Sequence, residues 1–202
     1  MAITINGSGT VTGVSVGGLP DGIVDAGTLA SNSVETAKIA ANAVTAAKRG
    51  TGAILQVVPH TNTTNVAVTS STYTTFITKD ITPIAQDSRF IVVVTTGIYM
   101  SETGSQNHYG GGWTLSRNIG GGSITGLIGD PQDSNGPYGH FYYYHADKQQ
   151  AAIDTRIGYD SPNTTSTVTY YAEGRPYYGT GNSITFGATS DTQMVIYEVA
   201  GP

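Results

Sequence analysis

Four histidines are the residues of this chain best suited to bind a metal or to carry a proton near neutral pH. They are His60, His108, His140 and His145. His140 and His145 are five residues apart, and on a strand that spacing puts the two rings on opposite faces. They cannot share a metal without a turn between them. We therefore predict neither a metal site nor a cofactor.

Acidic and hydroxyl residues form two further patterns with chemical potential. Asp130, Asp133 and Asp147 lie in or beside predicted loops and could hold a hard cation, although Asp in turns more often makes local hydrogen bonds. Residues 13–17, GVSVG, fit the nucleophile-elbow pattern, which needs a strand, a sharp turn and a helix. The glycine-rich sequence around Ser15 favours no helix, and the chain has no cysteine for thiolate chemistry. We predict that the protein is not an enzyme.

A block of aromatic residues between positions 138 and 145 is the strongest candidate for recognition. Strand alternation divides this block between two faces, one of which must belong to the core. The other face exposes rings with polar tips, which suit sugar or protein surfaces. With rings from neighbouring loops, the receptor-contact candidates are Tyr109, Trp113, Tyr138, His140, Tyr142, Tyr177 and Tyr178. The alternative is that these rings fill the core and a subunit interface.

Short strands are the elements that must position these residues. Apolar or alternating runs, separated by turn residues, occur at 53–58, 72–78, 89–100, 113–117, 153–159, 164–173, 183–187 and 193–199. Run 89–100 is apolar on both faces, which predicts a central strand or one that also packs on a neighbouring subunit. We expect Pro59 to end the first strand, and Asp154 and Arg156 to form a weak surface pair. The spacing predicts an all-β fold, with an antiparallel, jelly-roll-like β-sandwich as the C-terminal head.

Residues 21–50 contain an internal repeat of ten residues, written DGIVDAGTLA, SNSVETAKIA and ANAVTAAKRG. Aliphatic residues recur every five positions, which fits neither the helical period nor strict strand alternation. This aliphatic row consists of Val24, Leu29, Val34, Ile39 and Val44. One chain cannot close a core around so thin a row, so we expect identical chains to bury it together in a closed ring. The alternative is a solvated linker.

Composition limits the partners of the chain. Charged residues make up 11% of the 202 residues, and the formal net charge is −5 without a basic run, so we expect no nucleic-acid partner. The first residues lack the basic start and apolar core of a signal peptide. No stretch approaches the roughly 20 apolar residues of a membrane helix. We expect synthesis in a reducing cytoplasm, without membrane insertion.

Several motifs resemble those of bacteriophage tail-fibre proteins. Residues 33–40, SVETAKIA, and 42–48, NAVTAAK, are similar to the NAVTxAKIA repeats of fibre connectors. GAILQVV at 52–58, DSPNTTSTVTY at 160–170 and TQMVIYEV at 192–199 resemble, in the same order, segments of fibre-like head domains. The glycine-rich residues around 110–112 and the aromatic block depart from that pattern. We expect the specificity of this chain to lie at those two departures.

The resemblance implies a homotrimeric virion structural protein of the tail-fibre type, made in the host cytoplasm. Residues 1–20 would attach to other virion proteins, residues 21–50 would form an extended connector, and residues 51–202 would form the β-sandwich head. It also implies that the head attaches the virion to a polysaccharide or protein of the host surface. Trimer symmetry rests on the resemblance and not on the composition.

Two other functions stay open at this point. The first is a non-adhesive capsid decoration, head-fibre or tail adaptor protein with the same head. The second is a surface-polysaccharide hydrolase, because glycosidases usually need two carboxylates and the chain has 14 acidic residues. Against the hydrolase stands the length of the chain, which is short for a β-helical depolymerase.

Overall fold

The computed structural model of the chain describes residues 4–5, 11–12, 29, 31, 33–41, 43–45, 48–102, 109–128, 140–143, 149–176 and 182–202. For residues 4–5, 11–12, 102, 109–110 and 140–143 it describes the backbone alone. The chain divides into two compact units, Met1–Thr45 and Ala46–Pro202. We describe each by itself.

The N-terminal unit contains little regular structure among its described residues. Strands β1 (Thr4–Ile5) and β2 (Val11–Thr12) form a short antiparallel pair. In the repeat, residues Thr36–Lys38 make one 3-10 turn, in which the Lys38 amide donates to the Glu35 carbonyl. No residue of this turn is buried. The repeat therefore gains little from its own chain beyond local hydrogen bonds.

The C-terminal unit, which we call the head, is built from strands. Those described are β3 (Ile54–Asn62), β4 (Val66–Val68), β5 (Thr74–Ile81), β6 (Arg89–Glu102), β7 (Tyr109–Ile119), β8 (Thr125–Ile128), β9 (His140–Tyr143), β10 (Gln149–Asp160), β11 (Val168–Pro176), β12 (Asn182–Phe186) and β13 (Thr192–Val199). Each run predicted from the sequence lies wholly or largely within one of them. The sequence analysis missed β4 and β8, which have only three and four residues.

The larger sheet is arranged around β6, as predicted for a central strand. One edge of β6 pairs with β10 along almost its whole length. The other edge pairs with β13 over its first half and with β12 over its second half. Strands β3 and β4 continue the sheet beyond β13 and β12. All these pairings are antiparallel.

The first strand is longer than the sequence predicted. Strand β3 continues through Pro59 to Asn62, with Pro59 opposite Val195 of β13. The expectation that Pro59 ends the strand is wrong. It failed because β3 is at the edge of the sheet, where a residue without a backbone N–H costs no ladder hydrogen bond on the outer side.

The smaller sheet has the order β5–β11–β7–β8, and β9 also pairs with β7. Its pairings are antiparallel as well, with a bulge in β5 at Phe76, opposite Ala172 and Glu173 of β11. The inward faces of the two sheets form one core. From the larger sheet Phe90, Val92, Val94, Ile98 and Met194 are fully or almost fully buried, and from the smaller sheet Trp113, Leu115, Val168 and Tyr170. The all-β sandwich predicted from the sequence is confirmed.

The core is closed by aromatic packing between the sheets. Phe76 of β5 stacks on Phe186 of β12 with ring centroids 4.0 Å apart, and Trp113 meets Phe76 edge-on at 5.6 Å. The ring of Phe186 also fills the space beside Gly174, where an added Cβ would lie 2.1 Å from a ring carbon. Glycine is therefore required at position 174 by close approach.

Candidate functional site

Most of the receptor-contact candidates have side chains outside the described residues. Tyr138, Tyr177 and Tyr178 lie outside them entirely. Tyr109 lies in β7, and His140 and Tyr142 lie in β9, which pairs with the glycine-rich start of β7. The fold thus brings the backbone of three candidates into one strand pair. Their role in recognition stays a prediction.

Trp113 is the exception, because its side chain is described and is completely buried. Its indole Nε1 donates a 2.8 Å hydrogen bond to Asp154 Oδ2 in the opposite sheet. The guanidinium of Arg156 lies over the indole ring, 4.3 Å from its centroid. A side chain with no exposed surface cannot touch a receptor in this arrangement. The prediction that Trp113 contacts a receptor is therefore wrong, and Trp113 is a core residue.

The expected surface pair of Asp154 and Arg156 is also wrong in its location. Asp154 Oδ2 and Arg156 Nε are 3.0 Å apart, but both side chains point toward the core and are largely shielded from solvent. Arg156 also donates to the main-chain oxygen of Trp113. Burial lowers the pKa of Arg156, and the neighbouring Asp154 carboxylate opposes that change. These contacts form a polar bridge between the two sheets.

A second polar bridge lies six residues further along β10. Asp160 Oδ2 is 2.7 Å from Arg117 Nε of β7 and accepts a 2.9 Å hydrogen bond from the Tyr170 hydroxyl of β11. Asp160 Oδ1 accepts from the backbone amide of Ser161. Burial, followed by the Asp160 carboxylate, raises the pKa of Tyr170 well above its ordinary value. Both carboxylate oxygens of Asp160 therefore serve the fold.

Glu198 is a fully buried carboxylate that the sequence analysis did not single out. It accepts hydrogen bonds from the Ile84 amide at 2.7 Å and from the Ser88 hydroxyl and the Gln56 side-chain amide. Two of these donors lie in or beside the loop between β5 and β6, so the carboxylate fixes that loop to β13. A signal was present in the sequence, because alternation puts Glu198 on the same face as Met194 and Ile196.

A cleft of about 430 Å³ lies where β6 begins and β10 and β13 end. Its lining includes the exposed side chain of Arg89, the phenol ring of Tyr159, the hydroxyl of Ser161 and the carboxylate of Asp160. Its volume is in the range of small-ligand sites. A ring face, a guanidinium and a hydroxyl suit the binding of a polar, ring-shaped ligand. The lining offers little for bond breaking, because Asp160 is already engaged by Arg117, Tyr170 and the Ser161 amide.

Within the part of the chain that the structure describes, no three His, Asp or Glu residues are grouped so that they could hold a metal ion. Asp130, Asp133 and Asp147 lie outside that part. Among the same described residues, no helix is long and apolar enough to cross a membrane.

The aliphatic row of the connector is exposed wherever it is described. Leu29, Val34, Ile39 and Val44 keep between 46% and 55% of their surface in solvent. Val24 lies outside the described residues. Exposing four aliphatic residues at a fixed spacing is unfavourable for a chain in isolation, and it leaves apolar surface available for a partner.

Comparisons with known proteins give no family for this chain. No family model and no curated protein matches it. Among solved structures, the subviral particle of infectious bursal disease virus VP2 matches at 13% identity and a TM-score of 0.24, over 72% of this chain and 38% of that chain. Dimeric latent PorU from Porphyromonas gingivalis matches at 10% identity and a TM-score of 0.26, over 75% of this chain and 14% of that chain. The chain therefore spans well under half the length of both. At these TM-scores, neither similarity supports an inference about function.

Proposed function

We propose that this chain is the subunit of a homotrimeric, fibre-like virion protein that attaches to the host cell surface through its head. In this proposal the ten-residue repeat of residues 21–50 is the connector through which copies associate. The head makes the contact with the host. Attachment is by binding, without covalent chemistry. The motifs that resemble phage tail fibres and the arrangement of exposed apolar residues both support it.

The observation that carries the proposal is the half-exposed aliphatic row of the connector. A linker that only spans distance needs no regular apolar residues, since spacing requires only soluble chain. A row at five-residue spacing is instead suited to packing against the same row in other copies, because identical chains present it in the same register. Burial of each aliphatic side chain contributes roughly 1.5–3 kcal/mol when it is complete.

The head has the properties that a multivalent binding domain requires. Its two sheets are joined by the Trp113–Asp154–Arg156 bridge and the Asp160–Arg117–Tyr170 bridge. Tyr138, Tyr142 and Tyr178, three of the receptor-contact candidates, would offer short-range contacts to a sugar or a peptide. One such site binds weakly, and three on one particle act at high effective concentration.

Two measurements on the full chain test this proposal. Light scattering should give a mass near three times 21.0 kDa. Fluorescently labelled protein should adsorb to cells of the host strain and compete with intact particles for them. A trimer that is found in particles but neither adsorbs nor competes would instead be a decoration or adaptor protein. Release of new reducing ends from host polysaccharide would indicate the hydrolase.

A further inference from the structure

The outward face of the larger sheet is apolar where a solvent-exposed face is expected to be polar. The face consists of the outward residues at alternate positions of 57–61 in β3, 91–95 in β6, 153–159 in β10 and 193–197 in β13, and we call it the uncharged face. Within these limits it contains no Asp, Glu, Lys or Arg, and Arg89, the next outward position of β6, lies at its border. Tyr159 and Ile153 are 73% and 65% exposed, and Val57 and Ile157 are about half exposed.

The other sheet shows that this is not a general property of the head. The outward positions of β5 and β11 carry Thr78, Asp80, Glu173 and Arg175, as expected for a solvated face of an antiparallel sheet. The outer face of the smaller sheet therefore carries charged residues, and the uncharged face of the larger sheet does not. The difference indicates that something covers the uncharged face.

The polar atoms of the uncharged face are arranged so that covering it costs little. The hydroxyls of Thr95 and Thr155 lie opposite each other on β6 and β10 and share a 2.8 Å hydrogen bond. Because the two hydroxyls bond to each other, one donor hydrogen of the pair needs a further partner on burial, and not two. The two methyl groups then add to the apolar surface. Further along the same side of the sheet, Ser101 and Ser183 pair in the same way at 2.7 Å.

We propose that the uncharged face is the surface by which the heads of identical copies of this chain pack together. Chemistry favours a copy over an unrelated partner. Permanent homo-oligomer interfaces resemble a domain core cut in half, whereas transient interfaces are no more apolar than the rest of the surface. The chain has a formal charge of −5, so copies repel one another. A face without charges lets them meet without placing like charges in contact.

The size of the uncharged face agrees with this role. Strands lie about 4.8 Å apart and rise about 3.3 Å per residue, so four strands and the length of 153–159 give a footprint on the order of 400 Å². That is the size of the largest, often functional patch on a typical monomer, about 300–600 Å². A standard interface takes about 800 Å² from each partner. Head packing alone would thus be weak, and the aliphatic row of the connector supplies apolar surface in the same assembly. In this respect the inference rests on the proposed homo-oligomer.

The absence of cysteine from the chain makes this surface directly testable. We suggest labelling the full-length Ile153→Cys variant with a maleimide and using Ile124→Cys as the matched control. Ile124 is an exposed Ile in the segment before β8 of the other sheet. In the assembled protein, the thiol introduced at position 153 should react about tenfold more slowly than the control, because it is accessible only when the interface opens. Ile153→Asp with Ile157→Asp should shift the mass toward the monomer, and Ile124→Asp should not.

The outcomes separate this inference from the proposed function. An assembly whose Ile153→Cys thiol is protected supports packing through the uncharged face. An assembly in which Ile153→Cys reacts as fast as Ile124→Cys overturns the inference and leaves the homo-oligomer intact. A chain that is monomeric at every concentration, with both thiols reactive, overturns the inference and the proposed assembly together.

Discussion

The indole of Trp113 and the carboxylate of Asp154 join the two sheets of the head through a 2.8 Å hydrogen bond from Nε1 to Oδ2. Trp113 belongs to β7 of the smaller sheet, and Asp154 belongs to β10 of the larger one. The same oxygen also accepts from Arg156, whose guanidinium stacks on the indole. Strand β10 lies at an edge of the larger sheet and has exposed apolar residues on its outward face. Polar contacts on its inward face thus hold it to the core.

We predict that Asp154→Asn lowers the free energy of unfolding by about 2–4 kcal/mol. Removing one partner of a buried ion pair costs about 3–5 kcal/mol, and Asp154 keeps some contact with solvent, so the loss should be smaller. Urea denaturation at one fixed protein concentration measures it. The matched control is Asp191→Asn in an exposed loop, which should change stability by less than about 0.5 kcal/mol. Equal effects of the two variants would mean that the bridge does not stabilise the head.

The sandwich was predictable from the sequence because alternation is a local signal. Runs such as 89–100 identify their inward residues without knowledge of their neighbours. The location of Asp154 and Arg156 was not predictable in the same way. Alternation assigns both to one face of β10, but the opposite face, with Ile153 and Ile157, looks more suitable for a core.

The same reasoning explains the errors at individual site residues. Trp113 lies beside three glycines, which suggested a loop, whereas in the structure the glycines belong to β7 and pair with β9 and β11. The cleft near Tyr159 joins residues 70 positions apart, from Arg89 to Tyr159, and only strand pairing brings them together. Long-range contacts of this kind have no signature in a single sequence.

Alkaline pH should destabilise the head through Tyr170. Its pKa is raised in the folded state, mainly by burial, from an ordinary value of 10.0. Above about pH 10 the unfolded chain releases a proton that the folded chain keeps, so the free energy of unfolding falls as pH rises, by up to about 1.4 kcal/mol per pH unit. Below that pH the contribution of Tyr170 does not change.

Tyr170→Phe tests this dependence on pH. The variant should lose part of the alkaline slope, measured by urea denaturation at several pH values above and below 10.0. Tyr159→Phe, on the uncharged face, is the matched control and should follow the parent protein. A Tyr170→Phe variant with the full slope of the parent would show that Tyr170 is not the responsible group.

Charges in the aliphatic row of the connector should weaken assembly. Val34→Asp combined with Val44→Asp would place carboxylates where identical chains meet, and each unpaired buried charge costs several kcal/mol. We expect the mass from light scattering to fall toward that of one chain, while circular dichroism of the head stays unchanged. Ala41→Asp combined with Thr45→Asp adds the same charge at exposed positions outside the row and should leave the mass unaltered. If both double variants assemble like the parent, the repeat is only a linker.

Adsorption to host cells should depend on exposed rings more than on charge. A chain with 11% charged residues has little long-range steering, and stacking a sugar on a ring removes apolar surface from water at roughly 25 cal/mol per Å². We therefore expect at least one of Tyr138→Ala, Tyr142→Ala and Tyr178→Ala to stay folded and trimeric while losing adsorption. Adsorption should also persist in salt concentrations that shorten the screening length to about 3 Å, because screening acts on charges and not on stacked rings. Labelled protein on host cells at low and high salt measures both effects. Loss of adsorption in salt alone, or parental adsorption by every folded variant, would assign recognition to charged groups such as Arg89 or to another surface.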